Sequence, residues 1–167
     1  LIKGPEGTKT RFSVYRASWG EEREFTVERQ TIHIPDVVSL MLPGNIGYVQ
    51  QTTFGVDNAE TGEGTSTRLR AAVQTLKEKG MKALIFDLRD NSGGDLQQAI
   101  QTLSAFVPKG SELITRKGRD EDAFKSIIDR TNLEPVAADI PMVVLVNGQS
   151  ASASEAVSGA LRDHKRA

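Results

Sequence analysis

Two short apolar runs constrain this chain more than any other feature. KALIFDL (residues 82–88) and PMVVLVN (141–147) are almost uninterrupted hydrophobic stretches. Runs of that length, without the alternation of a half-exposed strand, fit strands of a parallel sheet buried on both faces. Each ends in a polar turn, RDNSGG after the first and NGQSASASE after the second. Each turn opens into helical spacing: Leu96, Ala99, Ile100, Leu103 and Val107 before Pro108 and Gly110, then Ala156, Val157, Ala160 and Leu161.

The same grammar extends back to Ile46. IGYVQQTTF reads as a strand, and NAETGEGTS as a loop ending in the helix-capping residues Thr65 and Ser66. Leu69, Ala72, Val73 and Leu76 then mark an amphipathic helix closed by Gly80. ELITRKG reads as a further strand and DAFKSIIDR as a short helix. Strands alternating with helices imply an α/β layer with a mainly parallel sheet. The front of the chain is β instead. TKTRFSVYRA and EREFTVERQTIHI alternate apolar and polar residues around a hairpin turn, SWGEE, with Gly20 at its tip. Pro35 and DVVSLMLPGN break that pattern, which places a connection there.

Composition narrows the chemistry. Lys+Arg 21 nearly cancels Asp+Glu 22, so charge gives no case for nucleic acid or an anionic membrane as a partner. The chain has no cysteine, which excludes disulfides, thiol catalysis and Cys-ligated metals. Its only histidines are His33 and His164, so no metal site and no cofactor are expected. No apolar run approaches the roughly 20 residues that span a bilayer. The opening LIKGPEGTK lacks the apolar stretch of a signal peptide.

Chemistry in such sheets gathers where strands end and helices begin. At the first junction, Gly93 and Gly94 allow positive φ and close backbone approach, and helix-start N–H groups can face developing negative charge. Taken alone, an ordinary turn explains RDNSGG more readily, and no phosphate-loop spacing is present. At the second, a serine hydroxyl is exposed beside helix N–H groups, in the logic of a nucleophile elbow, although GxSxG is not matched. Taken alone, Ser150, Ser152 or Ser154 reads more readily as an N-cap.

The two junctions in combination, about fifty residues apart, resemble the carboxyl-terminal processing, or tail-specific, serine peptidases. GYVQQTTF, ALIFDLRDNSGGDL, FVPKGSELITRKGRD and PMVVLVNGQSASASEAVSGALRDHKRA match in the family's order over residues 46–167. The resemblance implies a crotonase/Clp-like α/β sandwich core. IKGPEGTKTRFSVYR is similar to the end of a PDZ domain, which makes residues 1–18 its remnant and residues 19–45 a connecting β segment. It also implies a serine endopeptidase acting on proteins with unstructured C-terminal tails, outside the cytoplasm, in the periplasm or cell envelope.

The family pairs a serine nucleophile with a lysine base. The nucleophile maps to Ser152, and the oxyanion-hole N–H groups map to Ala153 and to Gly93 or Gly94. Asp163 matches a family acid expected to be structural, and Glu155, in the first helical turn, is a weaker supporting residue. Ser150 and Ser154 are expected to shape and cap the turn, and Ser158 to pack. The family's lysine lies about 25 residues beyond the nucleophile, past Ala167. At about 1.5 Å per helical residue, Lys165 and His164 lie too far along the helix to replace it. The chain is therefore expected to be an inactive internal fragment, prone to self-association at its cut edges. A non-catalytic binding module on the same fold is the alternative. A crotonase-like or Clp-like enzyme fits SASASE and the PDZ-like front less well.

Overall fold

The computed structural model describes residues 2–30, 35–58, 60–119 and 125–167. His33 and the Ile32–Ile34 end of the second expected strand lie outside the described residues. Two compact units divide the chain, Leu1–Ile34 and Pro35–Ala167.

The first unit is an antiparallel hairpin of β1 (Lys9–Tyr15) and β2 (Glu22–Glu28). Their alternating residues pair Phe12 with Phe25, whose rings stack at 6.4 Å, and Gly20 turns the chain at φ 72°. Trp19 packs on Phe25 and carries the Arg16 and Arg23 guanidinium groups on its ring, 4.6 and 4.9 Å from the centroid.

The second unit begins with β3 (Val37–Leu42) and β4 (Ile46–Gln51), followed by a small hairpin, β5 (Val56–Asn58) and β6 (Glu63–Gly64). Helix α1 (Thr65–Glu78) leads to β7 (Ala83–Asp87), then α2 (Leu96–Leu103). A second hairpin, β8 (Glu112–Arg116) and β9 (Ile127–Arg130), precedes β10 (Met142–Leu145) and α3 (Ala153–Asp163).

The central sheet has the order β10-β7-β4-β3, with β10, β7 and β4 parallel and β3 antiparallel at one edge. One face carries the core. Val49 pairs with Phe86, and both are wholly buried with Leu69 and Val73 of α1, Leu103 of α2, and Val157 and Leu161 of α3. Phe86 meets Phe106 at 5.6 Å. The other face is open: Leu40, Tyr48, Ile85 and Val143 align across the four strands, and Leu40 and Val143 are exposed.

Several local readings change. Val37–Leu42 forms a strand rather than a connection, because Gly44 and Asn45 take positive φ and close a tight hairpin onto β4. DAFKSIIDR is not helical where described: Ile127–Arg130 pairs with β8. Thr65 and Ser66 do not cap α1 but lie buried inside its first turn, behind Gly64. Helix α2 ends at Leu103, and turns carry the chain through Val107. β10 is an edge strand, which leaves Val143 and Val146 about half exposed, at 53% and 51%.

Phe86 fills the space between sheet and helices, so Phe86→Ala should destabilise the protein by about 3–5 kcal/mol. Urea unfolding of the two forms checks this; a loss under about 1 kcal/mol would contradict the packing.

Candidate active site

Parallel pairing of β7 and β10 sends the glycine loop and the serine loop out of the same sheet edge. Leu145 pairs with Asp87, and Leu88 N–H donates to Leu145 O at 2.9 Å, extending the ladder into the loops. The loops then cross-link. Asn147 Nδ2 donates to Asp90 Oδ1 at 2.9 Å, and Asp90 N–H returns a bond to Asn147 Oδ1 at 3.0 Å. Ser150 Oγ donates to Leu88 O at 2.8 Å and accepts from Asn147 N–H. Ala151 N–H and Ser154 Oγ both donate to Asn91 O, at 3.1 and 2.8 Å.

Ser152 stands at the tip, exposed, as the N-cap residue of α3 with φ 54° and ψ −114°. A non-glycine residue at positive φ is costly, and such strain concentrates at functional sites. Glu155 anchors it, its Oε2 accepting Ser152 N–H at 2.7 Å. Ala153 opens the helix, and among the described residues its N–H has no acceptor.

Gly93 packs directly beneath Ser152. A Cβ there would lie 2.8 Å from Ser152 Cβ, 2.9 Å from Ala151 O and 3.0 Å from Ala153 N, on a backbone at φ 107°. Gly94, at φ 141°, faces the other way, where a Cβ would lie 2.4 Å from Phe54 O. Gly93 O accepts from Phe54 N–H at 3.0 Å, and Asp95 N–H donates to Phe54 O at 2.7 Å. The Gly93–Gly94 peptide is trans, so the Gly94 N–H points opposite to the Gly93 carbonyl, away from Phe54. Gly93 N–H is already donated to Asn91 Oδ1 at 2.9 Å. A cleft of about 570 Å³ lies along α3, lined by Val146, Asn147, Ser150, Glu155, Ser158, Gly159 and Arg162; Ser152 is not part of its lining.

Residues 45–167 match the family described as Peptidase family S41. The chain belongs to peptidase family S41. It is 34% identical over 168 residues, all of this chain and 31% of the relative, to a probable CtpA-like serine protease of Staphylococcus haemolyticus. It is 33% identical over 175 residues, again all of this chain and 32% of the relative, to the chloroplastic carboxyl-terminal-processing peptidase 2 of Arabidopsis thaliana. The chain thus spans about a third of these relatives' length. Among solved structures, the photosystem II D1 C-terminal processing protease superposes with TM-score 0.63 at 26% identity, over 98% of this chain and 43% of that one. A putative S41 protease from Bacteroides fragilis shares the fold, with TM-score 0.65 at 18% identity over 95% of this chain and 46% of that one.

In this S41 chain the structure gathers Ser152, Ala153, Gly93, Gly94 and Glu155. It does not bring Asp163 to them. Asp163 ends α3, exposed, with Arg162 3.2 Å away. The same helix end carries His164, whose Nε2 lies 2.6 Å from Glu112 O, and Arg166, whose guanidinium donates to the carbonyls of Phe106, Ala137 and Ile140. Lys165 follows α3 and lies at that far end too. The serines divide their work differently from expectation: the N-cap position belongs to Ser152, whereas Ser150 and Ser154 bond to carbonyls of the glycine-loop segment. Ser158 Oγ donates back to Glu155 O at 3.2 Å. Among the described residues no cluster of three His, Asp or Glu side chains could hold a metal.

Sequence reasoning missed two polar groups here. Asn91 is wholly buried, and the only sequence signal is an Asn ahead of the glycines. The other is Asp87, fully buried at the end of β7. It accepts from Arg89 at 2.7–3.1 Å, from Arg89 N–H at 2.9 Å and from Tyr48 Oη–H at 2.7 Å. Burial pushes the Asp87 carboxyl up, but the bonds from Arg89 and Tyr48, with the Arg89 charge, outweigh it and hold the carboxyl below its ordinary value. Burial and the same carboxylate push the Tyr48 phenol up, so it stays a donor.

A depressed folded-state pKa stabilises the fold fully above the unfolded value, about 3.9, and loses that stabilisation as pH falls through the folded value. Asp87→Asn should therefore cost about 1–3 kcal/mol at pH 7, with the gap from wild type narrowing below about pH 4. Urea midpoints across pH check this; a gap independent of pH would contradict it.

Proposed function

We propose that this S41 chain carries the nucleophile and oxyanion hole of an extracytoplasmic serine endopeptidase that cuts proteins near unstructured C-terminal tails. One observation carries the reading: an exposed serine held at positive φ on a helix N-terminus, with a glycine Cα packed beneath it. Ser152 Oγ attacks the scissile carbonyl carbon while a base takes its proton. The tetrahedral intermediate collapses to an acyl-enzyme ester, and the departing amine takes that proton. Water then hydrolyses the ester. The Ala153 and Gly94 N–H groups stabilise the oxyanion. The direction of the Gly94 N–H and the prior engagement of Gly93 N–H favour Gly94 over Gly93.

By family resemblance the base is a lysine about 25 residues past Ser152, so these 167 residues alone are proposed to be inactive. Glu155 supports the nucleophile by holding Ser152 N–H, and Asp163 serves structure at the far end of α3. Residues 1–18 are proposed as the end of a PDZ domain that delivers the tail. The exposed Leu40 and Val143 on the open sheet face support self-association of the isolated chain.

The test is cleavage of a protein with an apolar, unstructured C-terminal tail by the full-length gene product, with products read by mass. Ser152→Ala should lower the rate by at least about 10³-fold. Undiminished cleavage by the variant would remove Ser152 as nucleophile, and a folded but inert wild type would favour a binding module.

A further inference from the structure

We propose that Asn91 is the positioning residue that aims the oxyanion hole, an inference that rests on Ser152 being the nucleophile. Asn91 is wholly buried, and its side-chain amide bonds in two directions while its main-chain carbonyl bonds in a third. Nδ2 donates to Gln51 O at 2.8 Å, tying the glycine loop to the end of β4. Oδ1 accepts Gly93 N–H at 2.9 Å. The Asn91 carbonyl accepts Ala151 N–H on one side of Ser152 and Ser154 Oγ on the other. One residue therefore touches β4, the glycine loop and both flanks of the nucleophile.

This placement fixes an orientation that glycine would not keep unaided. Gly93 and Gly94 have the widest conformational freedom of any residues, so the peptide between them needs external restraint to hold one direction. Phe54 N–H holds its carbonyl from the β4 side, and Asn91 Oδ1 holds the preceding N–H. With both of its polar groups engaged, Gly93 cannot swing, and the next N–H, that of Gly94, is held in one direction, away from Phe54. Through Ala151 and Ser154, Asn91 also sets where Ala153 N–H sits relative to Gly94 N–H. Donors that need no reorganisation when charge develops are the effective ones. Asn91 does not touch the substrate; it acts through the two donors.

The consequence is selective for the transition state. The ground-state carbonyl needs little from the donors, whereas the tetrahedral oxyanion needs both at the correct spacing. Loss of the Asn91 amide should therefore lower kcat and leave KM nearly unchanged. A role in folding alone would instead lower thermal stability, with no preference between substrate and transition-state analogue.

The experiment uses the full-length gene product, a fluorogenic tail peptide and a peptide aldehyde of the same sequence. The aldehyde adds to Ser152: an Oγ–C bond forms, the carbonyl π bond breaks to an oxyanion in the hole, and the hydroxyl proton passes to the base. Asn91→Ala should lower kcat roughly 10- to 100-fold, keep KM within about threefold, and weaken aldehyde inhibition in parallel with kcat. Ser154→Ala removes the hydroxyl bond to the Asn91 main-chain carbonyl, the other route by which Asn91 sets the donors, and should lower kcat roughly 3- to 10-fold with KM unchanged. That variant decides the matter if Asn91→Ala does not fold. Unchanged kcat, or a loss carried by KM with aldehyde affinity intact, would overturn the role of Asn91. Activity surviving in Ser152→Ala would instead overturn the underlying reading, so the two failures are distinguishable.

Discussion

Parallel pairing between β7 and β10 is the constraint from which the site follows. Met142 to Leu145 pair in step with Leu84 to Asp87, so both strands finish at the same level. Two loops far apart in sequence then emerge side by side, close enough for Ser150 to reach Leu88 and for Asn147 to reach Asp90. An antiparallel pair would have sent them to opposite ends of the sheet. Because parallel strands need a long crossover, α2 and the β8–β9 hairpin lie between the two loops in sequence, and they also build the layer on which α3 rests.

The loops store backbone strain where they meet. Asp90 at φ 62° and Ser152 at φ 54° are both non-glycine residues in a costly region, of order 1–3 kcal/mol each. A single neutral hydrogen bond contributes only about 0.5–1.5 kcal/mol, less than most of that range, so several contacts together hold each residue there. Asp90 exchanges two bonds with Asn147. Ser152 is flanked by Ala151 and Ser154, both tied to Asn91, and its own N–H is taken by Glu155. The strained serine persists because the surrounding network over-determines it.

That network also explains what could be read from the sequence. RDNSGG and SASASE were visible because backbone approach and a strained elbow demand particular small residues at short spacing. The strands KALIFDL and PMVVLVN were visible through bulk alone. Which serine takes the N-cap position was not legible from local propensity, because Ser150, Ser152 and Ser154 have the same propensity and differ only in distant partners; Ser152 was singled out by the family resemblance alone. β3 escaped because VVSLML runs directly into Pro43 and Gly44, which read as a break when they are a hairpin turn. β9 misled because Phe124, Ile127 and Ile128 fall at helical spacing in a segment whose strand pairing with β8 is a tertiary matter. Asn91 carries no periodic signal at all, since its partners lie 2, 3, 40, 60 and 63 residues away.

The two glycines are not duplicates of one another. Gly93 must lack a side chain because Ser152 Cβ and the Ala151 carbonyl occupy the space a Cβ would take. Gly94 must lack one because the Phe54 backbone closes on its opposite side. The loop is thus squeezed between the serine turn and the extension of β4, and each glycine answers to one wall. Gly93 gives both polar groups to structure, its N–H to Asn91 and its carbonyl to Phe54. Gly94 N–H is left with no acceptor among the described residues, on the side away from Phe54. A side chain at either position would move the peptide between them, and with it the direction of that N–H. Steric fit and donor orientation are therefore one property of this loop, because the contacts that exclude a Cβ also fix the peptide plane.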